Sequence, residues 1–144
     1  PKGKASATSR PMTAAQRGRA AGKLYRRAVG VLATALCYHA YQGIKGAADG
    51  LLRKAYRRYE VRQRMAAAQR TLRTARQQLD AVGALPLTKV DRFALAEMVD
   101  VLKLLRQSAA DLERYAETRR KDDFARFEQR RRRTWRRLRK LLGR

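Results

Sequence analysis

The chain has 144 residues, with 36 Lys plus Arg against 12 Asp plus Glu, a formal net charge of +24. That imbalance argues against a lone soluble enzyme, because self-repulsion opposes compaction unless a polyanion neutralises it, while an apolar fraction of 44% argues against a disordered chain. One cysteine, Cys37, and one histidine, His39, exclude an intramolecular disulfide, a cysteine-based zinc site and a multi-histidine metal site.

Nine Gly and three Pro among many Ala, Leu, Arg and Gln predict an all-α chain. The longest apolar stretch, Ala28 to Tyr38, is about half of the ~20 residues a spanning helix needs, so no membrane span is expected. The opening 22 residues hold no acid and are rich in Arg, Lys, Ser and Ala, as in an organelle-targeting leader or a retained basic arm.

Residues 1–12, with Pro1, Gly3 and Pro11, read as a flexible basic arm. Thr13 with Gln16 forms a capping-box pattern for a helix from Ala14 that carries Leu24, Ala28, Leu32, Ala35 and Cys37 roughly on one side. It should weaken near Gly43 and Gly46. A second helix is then expected from Ala47, with Asp49 supporting its first turn through the helix dipole. Leu51, Leu52, Ala55, Tyr56 and Tyr59 continue it, followed by Met65, Ala68, Leu72, Ala75, Leu79 and Val82, an alternation of three and four residues. Gly83 and Pro86 end the run.

Thr88 with Asp91 is a second capping-box pattern. An additional amphipathic helix is expected over 86–118, with Phe93, Leu95, Met98, Val101, Leu102, Leu105, Leu112 and Tyr115 along one side. Residues 119–144 read as an Arg-rich helical tail. The residues expected to form the core are Leu32, Leu36, Leu52, Tyr56, Leu72, Leu79, Leu95, Met98, Leu102 and Leu105.

No catalytic constellation is visible. Cys37 and His39 lie two apart and so face different ways on a helix, with no acid nearby to orient the imidazole. Asp122 and Asp123 sit beside Arg120 and Lys121 as local charge compensation. The basic surface is the main signal. Arg forks bind phosphate bidentately and stack on bases. Arg130, Arg131, Arg132, Arg133, Arg136, Arg137, Arg139 and Lys140, with Trp135 among them, form a segment suited to tracking a nucleic-acid backbone, and no acid offsets them from Arg130 onward.

One tripeptide carries a resemblance. Leu24-Tyr25-Arg26, followed by Arg27, lies on the first core helix, and Arg53-Lys54-Ala55-Tyr56-Arg57 falls where a second signature would stand. Over about residues 20–85 the chain resembles the LYR-motif family of small mitochondrial three-helix adaptors. Tyr56 replaces the family's usual Phe, and the interval between the signatures is about one helical turn longer. The resemblance implies an antiparallel three-helix bundle over 13–85, to which the long helix after it and the basic terminal extensions are added.

The resemblance also implies a non-catalytic protein of the mitochondrial matrix. Its partner would be the mitochondrial acyl carrier protein, whose acyl-phosphopantetheine arm enters the bundle, with no cofactor bound directly. Leu24, Tyr25, Arg26, Arg27, Arg53, Lys54, Tyr56 and Arg57 would form the docking face. The excess charge favours the mitochondrial ribosome or its assembly intermediates, with rRNA and other ribosomal or assembly proteins as partners. The alternatives are a helical nucleic-acid-binding protein without an acyl partner, or an accessory subunit of a respiratory or ATP synthase complex.

Overall fold

The computed structural model describes residues 13–143; the expected basic arm over 1–12 lies outside them. The described residues form four helices, α1 (Ala14–Leu52), α2 (Arg58–Gly83), α3 (Lys89–Thr118) and α4 (Lys121–Leu141), and no strand. The chain is all-α.

The links are short: residues 53–57, 84–88 and 119–120. Such links make successive helices antiparallel neighbours, and the cross-helix pairs agree. Along α2 and α3, Arg62 meets Glu117 and Gln69 meets Glu113. Along α3 and α4, Glu97 meets Arg137 and Asp111 meets Arg130. Tyr41 of α1 stacks on Trp135 of α4. α3 touches all three other helices, whereas α2 and α4 do not touch each other, so they flank the α1–α3 pair.

Both predicted capping boxes form. Thr13 Oγ1 accepts from Gln16 N and Gln16 Oε1 from Thr13 N. Thr88 Oγ1 accepts from Asp91 N, and the Asp91 carboxylate accepts from the Thr88 hydroxyl at 2.8 Å. Each box satisfies helix N–H groups that would otherwise lack a partner.

The α1–α2 boundary differs from the expectation. α1 runs unbroken through Gly43 and Gly46 to Leu52. Two helical glycines cost about 1 kcal/mol each relative to Ala, and burial of the surrounding Tyr41, Ile44, Ala47, Ala48 and Leu51 outweighs that. Asp49 lies near the C-terminal end of α1 and pairs with Lys45, so it supports no helix start. The break falls at Arg53, inside the motif placed on the second helix. Lys54 takes a left-handed φ of 60°. Ala55 N and Tyr56 N both donate to Gly50 O, at 2.8 and 3.0 Å. The Tyr56 ring then lies where a Cβ on residue 50 would project, so only glycine admits this turn. Arg64 covers the same ring, 4.3 Å from its centroid.

The inward side of α1 also differs. Cys37, Tyr41, Ile44, Ala48 and Leu51 are buried, with Val29 and Ala33 packed beside them. That line is rotated by one residue, about 100°, from Leu24, Ala28, Leu32 and Ala35. Leu32 is 69% exposed and Leu52 is 49% exposed, so neither belongs to the core. Leu36, Tyr56, Leu95 and Met98 are half-buried, while Leu72, Leu79, Leu102 and Leu105 are buried as expected. Phe93, assigned to the inner side of α3, is exposed.

The basic tail is the largest correction to the organisation. α4 is a bundle helix: Phe127, Thr134 and Leu138 are fully buried against α3 and α1. Asp123, also buried, accepts from the Thr118 hydroxyl at 2.6 Å and lies 3.3 Å from both Arg114 and Arg126. It fastens the two-residue link in which Arg119 takes a φ of 56°.

Replacing Gly50 with Ala should expel Tyr56 from its seat and lower stability by about 1–3 kcal/mol, read as a fall in the urea midpoint at an unchanged m-value. Acid should weaken the α3–α4 corner. The Thr118 hydrogen bond, aided by the nearby guanidinium groups and opposed by burial, holds the Asp123 carboxyl below the usual carboxylate range. A carboxyl depressed on folding stabilises fully above its unfolded value, about 4, and that contribution is lost as pH falls through the folded value. Urea midpoints of the wild type and Asp123→Asn should therefore differ at pH 7 and converge as acid protonates the folded carboxyl, at a pH below the unfolded value.

Candidate nucleic-acid interface

Ten ion pairs form among the described residues, each through a different Lys or Arg, in a chain with 36 such cations. Several of the acids join helices: Asp91 takes Arg26, Glu117 takes Arg62, Asp111 takes Arg130 and Glu97 takes Arg137. Among the described residues, the charges left outside ion pairs are mostly cationic, with Glu60, Asp100, Glu113 and Asp122 as the acids among them.

These pairs divide the Arg-rich segment. Arg130 Nε lies 2.6 Å from Asp111 Oδ2, a close ion pair set off the hydrogen-bond axis. Arg131 donates twice to Glu128 and once to the Tyr41 hydroxyl oxygen, at 3.0 Å. Those bonds raise the Arg131 pKa further and hold the Glu128 carboxyl below the ordinary range. Arg137 donates from Nη1 to both Glu97 oxygens at 3.0 Å. Trp135 stacks on Tyr41 at 5.0 Å and packs against the core. Arg130, Arg131, Arg137 and Trp135 are therefore structural, not a free phosphate-binding and base-stacking set. Arg132 reaches Glu128 only at 3.8 Å. Arg133, Arg136, Arg139 and Lys140 are exposed and in no ion pair among the described residues.

α4 packs its apolar line inward, and of its free cations Arg133 and Arg136 border the seam with α3. Two adjoining depressions lie along the α3–α4 seam. One, about 250 Å³, is lined by Asp100, Lys103, Leu104, Gln107, Arg133 and Arg137. The other, about 470 Å³, is lined by Leu104, Gln107, Arg126, Gln129, Arg130, Arg133 and Arg136. Lys103, Gln107, Arg126 and Gln129 were not among the residues singled out from the sequence. Their signal, positions three or four apart on facing helix sides, becomes readable only when α3 and α4 are known to pack together.

The expected acyl-carrier docking face is not assembled as one surface. Leu24 and Tyr25 are exposed, at 71% and 57%, about three turns into α1. Arg26 is held by Asp91 at 3.1 Å, so it is not a free docking charge, while Arg27 is exposed and in no ion pair among the described residues. Arg53, Lys54, Tyr56 and Arg57 lie at the turn beyond the other end of α1, about 40 Å away at 1.5 Å per residue. Arg57 N donates to Glu60 at the start of α2, and Tyr56 is seated on Gly50. Arg53 and Arg57 do not share a helix face, because no helix passes through them.

A separate cavity of about 470 Å³ opens between α1, α2 and α3, lined by Val29, Leu32, Leu36, Cys37, Thr71, Ala75, Leu79 and Leu102 among others. It is almost wholly apolar. Cys37 is fully buried in its wall, and burial pushes the thiol pKa up to about 11. His39 is exposed, and no group of three or more metal-ligating side chains gathers among the described residues. No described helix is long and apolar enough to cross a membrane. No protein-family model matches the chain, and neither a curated protein nor a solved structure matches it.

The Cys37 thiol should resist a thiol-specific reagent in the folded protein at pH 8 and react stoichiometrically once urea unfolds the chain, because both access and thiolate are lacking in the fold. Rapid labelling without denaturant would contradict that burial.

Proposed function

We propose that this chain is a non-catalytic helical component of an RNA–protein particle, binding the RNA backbone through the unpaired cations of its solvent faces. The observation that carries this reading is the use of the acids. Eight of the twelve are drawn into cross-helix and intrahelical pairs, leaving many exposed Arg and Lys in no ion pair among the described residues. A phosphodiester chain supplies the missing charge at high density, and release of its counterions makes the binding favourable and salt-dependent. Among such particles, the mitochondrial ribosome and its assembly intermediates are the ones to which the LYR resemblance points.

A second reading keeps the acyl carrier protein as an additional partner, with α1, α2 and α3 acting as a LYR-type bundle in place of the three helices expected over 13–85, where only α1 and α2 lie. The exposed Leu24 and Tyr25 beside unpaired Arg27 favour it, as does an apolar cavity between the same three helices. In this reading the docking surface is confined to the start of α1, and the 53–57 turn takes no part.

Both readings are open to direct measurement. The folded protein should bind single-stranded RNA, with log Kobs falling linearly against log salt at about 0.7 per phosphate neutralised. Binding that is absent, or indifferent to salt, overturns the first reading. For the second, Tyr25→Ala and Arg27→Glu should lose a purified acyl carrier protein that the wild type captures. Arg26 is the wrong probe, since its reversal sets two carboxylates against each other at Asp91. A wild type that captures no acyl carrier protein removes the second reading and leaves the first intact.

A further inference from the structure

We infer that the α3–α4 seam is a site for one strand of RNA, its phosphates lying between Lys103 of α3 and the Arg133–Arg136 edge of α4. The inference rests on the RNA-binding reading above and names where on the molecule it acts.

Four observations carry it. First, Leu104, Gln107 and Arg133 line both depressions, so the two adjoin along the seam. Second, Lys103, Arg133 and Arg136 are exposed and take part in no ion pair among the described residues. The remaining charges nearby are largely settled: Arg130 by Asp111, Arg137 by Glu97 and Arg126 by Asp123. Asp100, in the wall of the smaller depression, is the one acid there outside any ion pair, and it sets the direction away from which an anion would lie.

Third, the groove holds a single apolar side chain, Leu104, with Gln107 and Gln129 beside it. A protein helix docks through several buried apolar anchors, and these are missing. A phosphodiester strand needs cations for its backbone, and the amides can reach a 2′-hydroxyl or a base edge. Fourth, the spacing of the groups suits an extended strand, whose unpaired base edges the amides can reach. Along α4, positions 129, 133 and 136 recur at three or four residues, about 5–6 Å per step, so successive groups meet successive parts of an extended strand.

The test uses the full chain and a single-stranded RNA of twelve nucleotides, with DNA of the same sequence, duplex RNA and poly-glutamate as comparison ligands. Replacing Lys103, Arg133 and Arg136 together with Gln should lower the log–log salt slope by about two units, at about 0.7 per contact. Replacing Arg58, Arg70 and Arg73 of α2 with Gln removes the same charge far from the seam and should change the slope by less than about half a unit. Arg133→Lys keeps the charge but loses the bidentate fork, so the slope should persist while affinity falls several-fold. Circular dichroism checks that each variant stays helical.

An unchanged slope in the seam triple, with wild-type RNA binding intact, overturns the seam site alone. Tighter binding of the duplex than of single strands also overturns it. Equal competition by poly-glutamate would make the groove a docking surface for acidic protein and overturn the assignment to RNA. A wild type with no salt-dependent RNA binding overturns the reading on which the site rests, and the site with it.

Discussion

The rest of the bundle depends on the burial of α3 from three sides. Val101, Leu102, Leu105, Ala109, Leu112 and Ala116 are all buried, and they meet α1, α2 and α4 in turn. α2 and α4 have no contact with each other, so each is held chiefly by its packing on α3 and, less extensively, on α1. Small residues at 109 and 116 let a neighbouring helix approach, while the leucines fill the space between. Without that line, two strongly cationic helices would have nothing to offset their repulsion. α4 in particular is a helix that its own composition would leave in solvent. Phe127, Thr134 and Leu138 are few, but α3 buries all three completely.

Charge follows the same logic. With twelve acids for thirty-six cations, placement matters more than number. Asp111 and Glu97 each hold an Arg of α4 on α3, and Asp123 gathers two guanidiniums and a hydroxyl at the α3–α4 link. A charge pair in such partly buried surroundings fixes register, because removing one partner leaves the other desolvated and unpaired. Acids used between helices are unavailable to screen the outer faces. The cationic exterior and the helix register are thus two results of one allocation. Binding of a polyanion would relieve the first without disturbing the second.

The Arg-rich segment shows how a run of like residues acquires different roles. Arg130, Arg131, Arg132 and Arg133 are consecutive, and a helix sends them around a full turn. Arg130 faces Asp111, Arg131 faces Tyr41 and Glu128, Arg132 reaches Glu128 weakly, and Arg133 faces the seam. Nothing in the tetrad distinguishes its members before the helix has neighbours. Trp135 likewise looks like a base-stacking ring until Tyr41 is found against it.

The sequence by itself determined the helical class, both capping boxes, the end of α2 at Gly83 and the apolar lines of α2 and, Phe93 apart, of α3. These depend on contacts within a few residues or on a periodicity of three and four, which composition displays directly. It also determined that the outer surface must be cationic. Only the tertiary structure decided where α1 ends, because the cost of Gly43 and Gly46 is set against burial by distant residues, and because Gly50 matters only once Tyr56 turns back onto it. It likewise decided that the basic tail is a core helix and which of its arginines remain free. It also parted the two signatures of the LYR resemblance to opposite ends of α1. Those outcomes depend on which side of a helix meets a partner remote in sequence, and a rotation of one residue, about 100°, exchanges a buried side chain for an exposed one.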